Sequence, residues 1–464
     1  MSPPRRFDVV VVGAGPAGAH VAGGFAQRGR TVALLDRRPI DEAGAQWHNG
    51  VVAWQFAEAG APAPVPDEIT PNEGATHLFG PDGTLGCRYT GSPTVRADMG
   101  VLGTALRSVA TEAGAEIVDR VRGLDVDVDR HGRMRAVEVA LGRATSDGDG
   151  SGTARLEADL FVDAAGWTGV LRRHAPALAR WCPPVRGGEL CSASDAVLAV
   201  RDPDGAQRFL DDHGAVAGDT VSVLGNAGGW STCSVRVSED RTRVAALVGC
   251  VANGRYGTGP KLLADLQTTH GWLGEPIAVG TGVIPLRRPY ARFTAPGLAL
   301  VGDAACQVFP AHGSGIGSSL IAGRMLVDAA AGAADCGGED VLWRYQHAFQ
   351  KRFGGMFAAL DAFRRMSTAL GSHGVARMVR AGMVDAEVTR QMLDQRWAQP
   401  SLSAMPGNIR ALATNPKLAK VMVPGLARGA LLRPMGGTHP RSVDVDALGR
   451  WDARIQRLLG PLPV

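Results

Sequence analysis

Gly13, Gly15 and Gly18 stand in the stretch GAGPAG, directly after the β-branched run Phe7 to Val12. Between a strand and a helix, glycines at that spacing suit a dinucleotide. The first makes the tight turn, the second lets backbone approach a pyrophosphate, and the third lets helix pack on strand. Ala14, Pro16 and Ala17 complete the turn, so the phosphates would rest on the amino end of the following helix, where free N–H groups and the helix dipole favour negative charge. Asp36 comes eighteen residues after Gly18 and closes the run TVALLD, where a carboxylate accepts hydrogen bonds from ribose hydroxyls. Its neighbour Arg37 belongs to the same adenosine-side set. These residues do not separate FAD from NAD(P), because the adenine half of either molecule makes the same demands.

A second constellation lies at the far end of the chain, in ALVGDAACQVFPAHGSGIGSSLIAGRMLVDAA. A strand ends at Gly302 and Asp303, a loop follows at Pro310, and Gly313 and Gly315 open a helix at Ile316. Asp303 in that position can hold ribityl hydroxyls of a flavin, and the helix amino end can stabilise the charge that develops at flavin N1 and O2 on reduction. The candidate proton-handling residues are His312, between Pro310 and Gly313, and His48, in AQWHNGVV. An imidazole at either place could relay protons near neutral pH. Trp230, in GGWSTCSVRV, reads as an apolar wall of a substrate pocket. Cys306 has apolar sequence neighbours, which raise a thiol's pKa and argue against a redox role.

These residues need a frame. Phe7 to Val12, an alanine-rich helix from Pro16 to Arg28, and Thr31 to Asp36 form a strand–helix–strand unit. A helix is predicted over Arg96 to Ala113, with three short strands and a turn at Asp129 to Gly132 after it. Residues 144 to 153 read as a flexible hairpin tip, residues 175 to 290 as an antiparallel sheet, and the last 120 or so residues as helices. Nucleotide-type motifs near residues 13, 163 and 303 imply one binding domain interrupted by insertions. The stretch from Arg377 to Arg390 would suit a core helix or a membrane-surface helix.

Composition narrows the class. The 464 residues carry a net charge of +4, with 45% hydrophobic and 20% charged residues, as in an ordinary globular chain of two or three domains. No basic patch points to nucleic acid, and no His/Cys cluster has metal spacing, so no metal is expected. Seven cysteines without a CxxC read as reduced thiols of a cytoplasmic protein. Two arginines before the first apolar run mimic a secretion signal, but that run leads straight into a glycine motif that needs a strand.

With GAGPAG and VGDAA...P..G.GI both present, the chain resembles the FAD-dependent superfamily of class A flavoprotein monooxygenases, and within it the geranylgeranyl reductase-type branch. The resemblance implies FAD and an α/β fold: a Rossmann-like domain of the aromatic hydroxylase type, an inserted antiparallel substrate sheet and a C-terminal helical region. The corresponding boundaries are 1–70, 95–175 and 285–335 for FAD, 71–94 and 176–284 for substrate, and 336–464 for the helices. Arg96 matches the family's arginine near the cofactor's phosphate and ribityl region, and Val121 the position whose backbone meets adenine. Asp163 and Gly166, in VDAAGWTGVLRR, stand where the family has Asp-Gly; Ala164 replaces that glycine, which puts direct NAD(P)H oxidation in doubt.

The resemblance implies an oxidoreductase acting on a hydrophobic small molecule, and the departures from the family patterns suggest bacterial secondary metabolism. Reduced FAD would deliver hydride to a C=C bond, or would activate O2 as a C4a-hydroperoxide for monooxygenation. The electrons would come from NAD(P)H or another reductant, with a flavin reductase as a candidate partner. Halogenation and non-catalytic flavin binding are the alternatives; no lysine precedes Lys261, where the halogenases need one.

Overall fold

The structure is a computed structural model that describes residues 3–62, 69–71, 74–142, 152–398 and 404–463; the expected hairpin tip at 144–153 falls almost wholly outside these. The central sheet has parallel strands in the order Leu298–Leu300, Thr153–Asp163, Arg5–Val12, Val32–Leu35 and Glu116–Val118. In register, Val12 pairs with Leu35 and Asp163, and Asp163 pairs with Leu300. The carboxyl ends of four strands, far apart in the chain, therefore finish together, which is where open α/β sheets bind ligands. Val9–Val12 and Val32–Leu35 are apolar and buried, as in strands covered on both faces of a sheet.

Helices Pro16–Ala26, Met99–Glu112 and Ile316–Ala330 pack beside this sheet. Glycines set their spacing. A Cβ at Gly23 would meet Ala110 at 3.5 Å, and one at Gly24 would meet Val327 at 3.0 Å. The fold is thus the mixed α/β architecture that the motifs imply, with a second sheet inserted and a helical C-terminal region.

The predicted helix over 96–113 starts later than expected. Thr94–Asp98 is a strand, antiparallel to His48–Val52, and the helix begins at Met99. Two β-branched residues, Thr94 and Val95, favour the strand, and Asp98 caps the helix by accepting from Gly100 N at 2.8 Å and Val101 N at 3.1 Å. Arg96 consequently sits mid-strand. Replacing Asp98 by alanine is expected to cost about 1 kcal/mol, read as a lower urea midpoint at unchanged slope; an unchanged midpoint would count against the cap.

The second sheet runs Leu273–Pro285, Leu190–Val200, Arg243–Val251, Ser231–Val237, Thr220–Leu224, Thr76–Phe79, Leu85–Tyr89. Strand Ser231–Val237 alternates buried and half-buried residues. One face carries Val235, Val244, Ala246 and Val248 onto Phe209, Leu210, Leu263 and Trp272, contributed by helices Pro203–Asp212 and Gly259–Thr269 and the turn after them. The other face is turned to the cavity described below.

At the C-terminus, helix Gly355–Arg380 holds Asp361 in a fully buried cluster, accepting from Arg364 and Arg365, each at 3.0 Å, and from Arg288 N at 3.2 Å. Helix Pro416–Leu432 lies against it through Gly425, where a Cβ would come within 2.6 Å of Met366. Among the described residues no helix is long and apolar enough to cross a membrane.

Candidate active site

One cavity of about 2210 Å³ begins at the carboxyl ends of the central strands, passes under the second sheet and ends among the C-terminal helices. Ligand pockets usually occupy roughly 300–1,000 Å³, so the space can take a dinucleotide and a second molecule together. At one end it is lined by Gly13, Gly15, Pro16, Ala17, Asp36, Arg37 and Val121, and in the middle by Gly166, Asp303, Gly313, Gly315 and Ile316. The loops thus bring both glycine motifs to one space.

Two helix amino ends open onto it. Neither Gly15 nor Gly315, the residues that cap Pro16–Ala26 and Ile316–Ala330, offers a side-chain cap, and neither first turn contains an acid. Such ends keep donors free for an anion. Gly13 has φ +106°, and a Cβ there would come within 2.4 Å of Ala164 O; one at Gly18 would come within 1.8 Å of Gly13 O. At these two positions only glycine fits the turn. The Asp36 carboxylate is oriented by Ala14 N–H at 2.8 Å and Arg38 N–H at 2.9 Å.

Asp303 is in a different electrostatic position. Burial pushes its carboxyl up to about 6. Among the described residues no donor reaches its carboxylate, so both carboxylate oxygens are available to a polyol. These features fit FAD: two donor-rich helix ends, a carboxylate at the ribose end, and a carboxylate without partners between them.

Five residues singled out with the motifs lie behind the cavity wall: Ala14, Gly18, Asp163, Gly302 and Pro310. Asp163 is fully buried and accepts from Leu171 N at 2.7 Å and Arg172 N at 3.2 Å, so it shapes the loop carrying Gly166. Burial raises its carboxyl above the ordinary range in spite of those donors. Gly302, at φ +70°, forms the turn that presents Asp303. Arg96 lines the cavity, but its guanidinium is held by Asp195 at 2.7 Å. Asp195 is raised to about 6 by burial, an effect that Arg96 opposes.

His312 lines the cavity in a setting that does not suit the proton relay expected of it. Its Nε2 faces Met392 O at 3.1 Å, its ring packs on Phe309, and burial lowers it to about 4. The imidazole is neutral at physiological pH and donates to a carbonyl. Replacing His312 by glutamine should leave the pH profile of flavin turnover unchanged above about pH 5. Loss of a limb near neutrality would restore the relay. His48 also lines the cavity; its Nε2 is 3.9 Å from Asp98, beyond hydrogen-bond range, and burial and Arg96 lower its pKa. Trp230 is a wall residue, fixed by donation from Nε1 to Ala311 O at 2.8 Å. Cys306 is raised to about 11 by burial, although Arg287 and Arg172 lie near it, so its surroundings are not wholly apolar.

Three contributions escaped the sequence reading. Arg107, buried on an otherwise apolar helix face, donates to Ala43 O at 3.1 Å and Ala14 O at 3.4 Å and ties down the glycine turn. A lone arginine between Leu106 and Ala110 was its signal. Trp47 lies over Gly280, where a Cβ would be 2.2 Å from its ring. The third is a methionine-rich wall, Met366, Met378, Met383, Met392 and Met422, drawn from segments that look like generic helix in sequence.

No family model matches the chain. Among solved structures, a geranylgeranyl bacteriochlorophyll reductase-like protein from Thermoplasma acidophilum is similar with a TM-score of 0.67 at 17% identity, covering 90% of this chain and 98% of that one. A probable FAD-dependent monooxygenase, PqsL from Pseudomonas aeruginosa, shares the fold with a TM-score of 0.54 at 18% identity, covering 80% and 97%. In sequence, a digeranylgeranylglycerophospholipid reductase 2 of Methanopyrus kandleri is 27% identical over 86% of this chain and 98% of its own. A menaquinone reductase of Mycolicibacterium smegmatis is 28% identical over 70% and 76%. Site, fold and relatives together make this protein an FAD-dependent oxidoreductase, similar in fold to the class A flavoprotein monooxygenases. In sequence and in fold it is similar to proteins of the geranylgeranyl reductase type.

Proposed function

We propose that the protein reduces a carbon–carbon double bond of a hydrophobic molecule carrying an isoprenoid-type chain. One observation carries the reading: the cavity is continuous from the glycine turn, past Asp303, to the methionine-rich wall of the C-terminal helices. Methionines are unbranched and adapt to an irregular apolar guest. The substrates in the names of the two reductase relatives share a polyprenyl chain, which suits such a wall.

FAD, when bound, supplies a two-electron carrier whose reduced ring can pass hydride to an acceptor carbon. The chain's own residues bind and orient. The amino ends at Gly15 and Gly315 would hold the pyrophosphate and the electron-rich edge of the ring. Asp36, Arg37 and Val121 would hold the adenosine, and Asp303 the ribityl hydroxyls. Met366, Met392 and Met422 would exclude water and align the apolar substrate, with Trp230 as a fixed wall. NAD(P)H or a separate flavin reductase would be the electron donor, working in the cytoplasm.

The test uses FAD-loaded protein reduced chemically without oxygen and then mixed with geranylgeraniol. Reoxidation of the flavin with formation of a product richer by a hydrogen pair is expected. Reoxidation that requires O2 and yields an oxygenated product would overturn the proposal in favour of a monooxygenase.

A further inference from the structure

Helix Pro416–Leu432 is apolar on two sides, and only one of them is covered. Its inner side, Leu418, Met422, Gly425 and Leu432, packs against helix Gly355–Arg380 and its neighbours. Its outer side exposes Val423 at 50% and Leu431 at 57%, and helix Met405–Thr414 beside it exposes Ile409 at 64%. Residues in water do not need that much apolar surface on a helix's outward face; soluble helices usually place charge there.

The charge carried by this segment has one sign. Between Asp394 and Asp444 the sequence contains no Asp or Glu, while Arg410, Lys417, Lys420, Arg428 and Arg433 are all exposed. The chain has four lysines in all, and two of them are here. The face also adjoins the cavity, because Asn408, Leu412 and Leu426 of the same two helices line it. A protein partner of mixed charge would leave this cationic rim unmatched. An anionic lipid surface matches both the rim and the apolar centre.

We propose that the outer face of Met405–Thr414 and Pro416–Leu432 docks on an anionic membrane surface, with Ile409, Val423 and Leu431 entering the headgroup boundary. The two helices lie in the interface and do not cross it. A hydrophobic substrate then reaches the cavity from the lipid beside Leu412 and Leu426 without crossing water. The docking concerns this face alone and stands whatever reaction the flavin site performs.

The experiment is cosedimentation of the full, FAD-loaded chain with vesicles of phosphatidylcholine alone or mixed with phosphatidylglycerol. Binding to the mixed vesicles is expected, weakening as salt is raised. The triple variant Ile409→Asp, Val423→Asp, Leu431→Asp should lower the partition by about tenfold or more, with unchanged circular dichroism and flavin content. If that variant folds poorly, Arg410→Gln with Lys417→Gln and Lys420→Gln should abolish the preference for phosphatidylglycerol. Absence of wild-type binding to the mixed vesicles overturns the proposal, as does a partition indifferent to both variants. Light scattering that finds a dimer dissolved by the triple variant, without vesicle binding, assigns the face to a second copy and also overturns it.

Discussion

The Gly15→Val protein is expected to fold normally and to retain no FAD. Gly15 has φ −68° and extended ψ, a backbone conformation that valine adopts without strain. A Cβ there meets only Gly44 Cα, at an ordinary 3.7 Å, so the backbone around the turn accepts a side chain. It would instead fill the cavity in front of the free N–H groups of helix Pro16–Ala26, where the pyrophosphate should lie. Flavin absorbance should be lost, with affinity down by roughly 100-fold or more, while the thermal midpoint of the apoprotein stays where it was. Gly18→Ala provides the contrast. Its Cβ would lie 1.8 Å from Gly13 O, so it should lower stability as well as flavin content. Normal flavin content in Gly15→Val protein would sink the placement of the pyrophosphate.

Replacing Asp303 by asparagine should weaken FAD and strengthen the apoprotein. The carboxylate faces the cavity without a protein donor, so a bound polyol would gain charge-assisted hydrogen bonds that asparagine cannot equal; about a tenfold loss of affinity or more is expected. Stability moves the other way. Burial holds the folded-state pKa near 6, above the 3.8 of the free group, so above pH 6 the folded apoprotein carries a poorly solvated charge. Asparagine removes that cost, a gain of about 1–3 kcal/mol at pH 8. The folded state of the parent binds the extra proton as pH falls, so the gain shrinks through pH 6 and is gone by about pH 4. Urea unfolding of both apoproteins at the two pH values, with flavin titrations, checks the pair of effects. Equal flavin affinity and a gain that ignores pH would refute the role given to Asp303.

How much of this was legible in the sequence depends on how local each feature is. Gly13 and Gly18 open and close six consecutive residues and stand where the fold admits only glycine, so the turn could be read without a structure. Asp303 was legible for the same reason, standing between a strand end and a glycine-opened helix. Arg96 was placed in the correct segment but in the wrong element, because Thr94 and Val95 pair with a strand more than forty residues upstream. His312 was legible as an imidazole in a loop that the structure places on the cavity. Its charge state is set by burial, against the opposing bond to Met392 O, which comes from eighty residues away in sequence. Asp195, one residue in an alternating strand, became notable only when the fold brought Arg96 to it from ninety-nine residues away.

By itself, then, the sequence determined two glycine turns that each open a helix, with spacing suited to a dinucleotide, and a resemblance that implies FAD. Those features are written in contiguous spacing, which elementary backbone sterics translate directly. Tertiary structure alone decided that Asp163 lies behind the wall, that His312 is neutral, and that methionines from three separate segments form one apolar end to the cavity. Burial and facing depend on which distant elements pack together, and periodicity within a single element does not contain that choice.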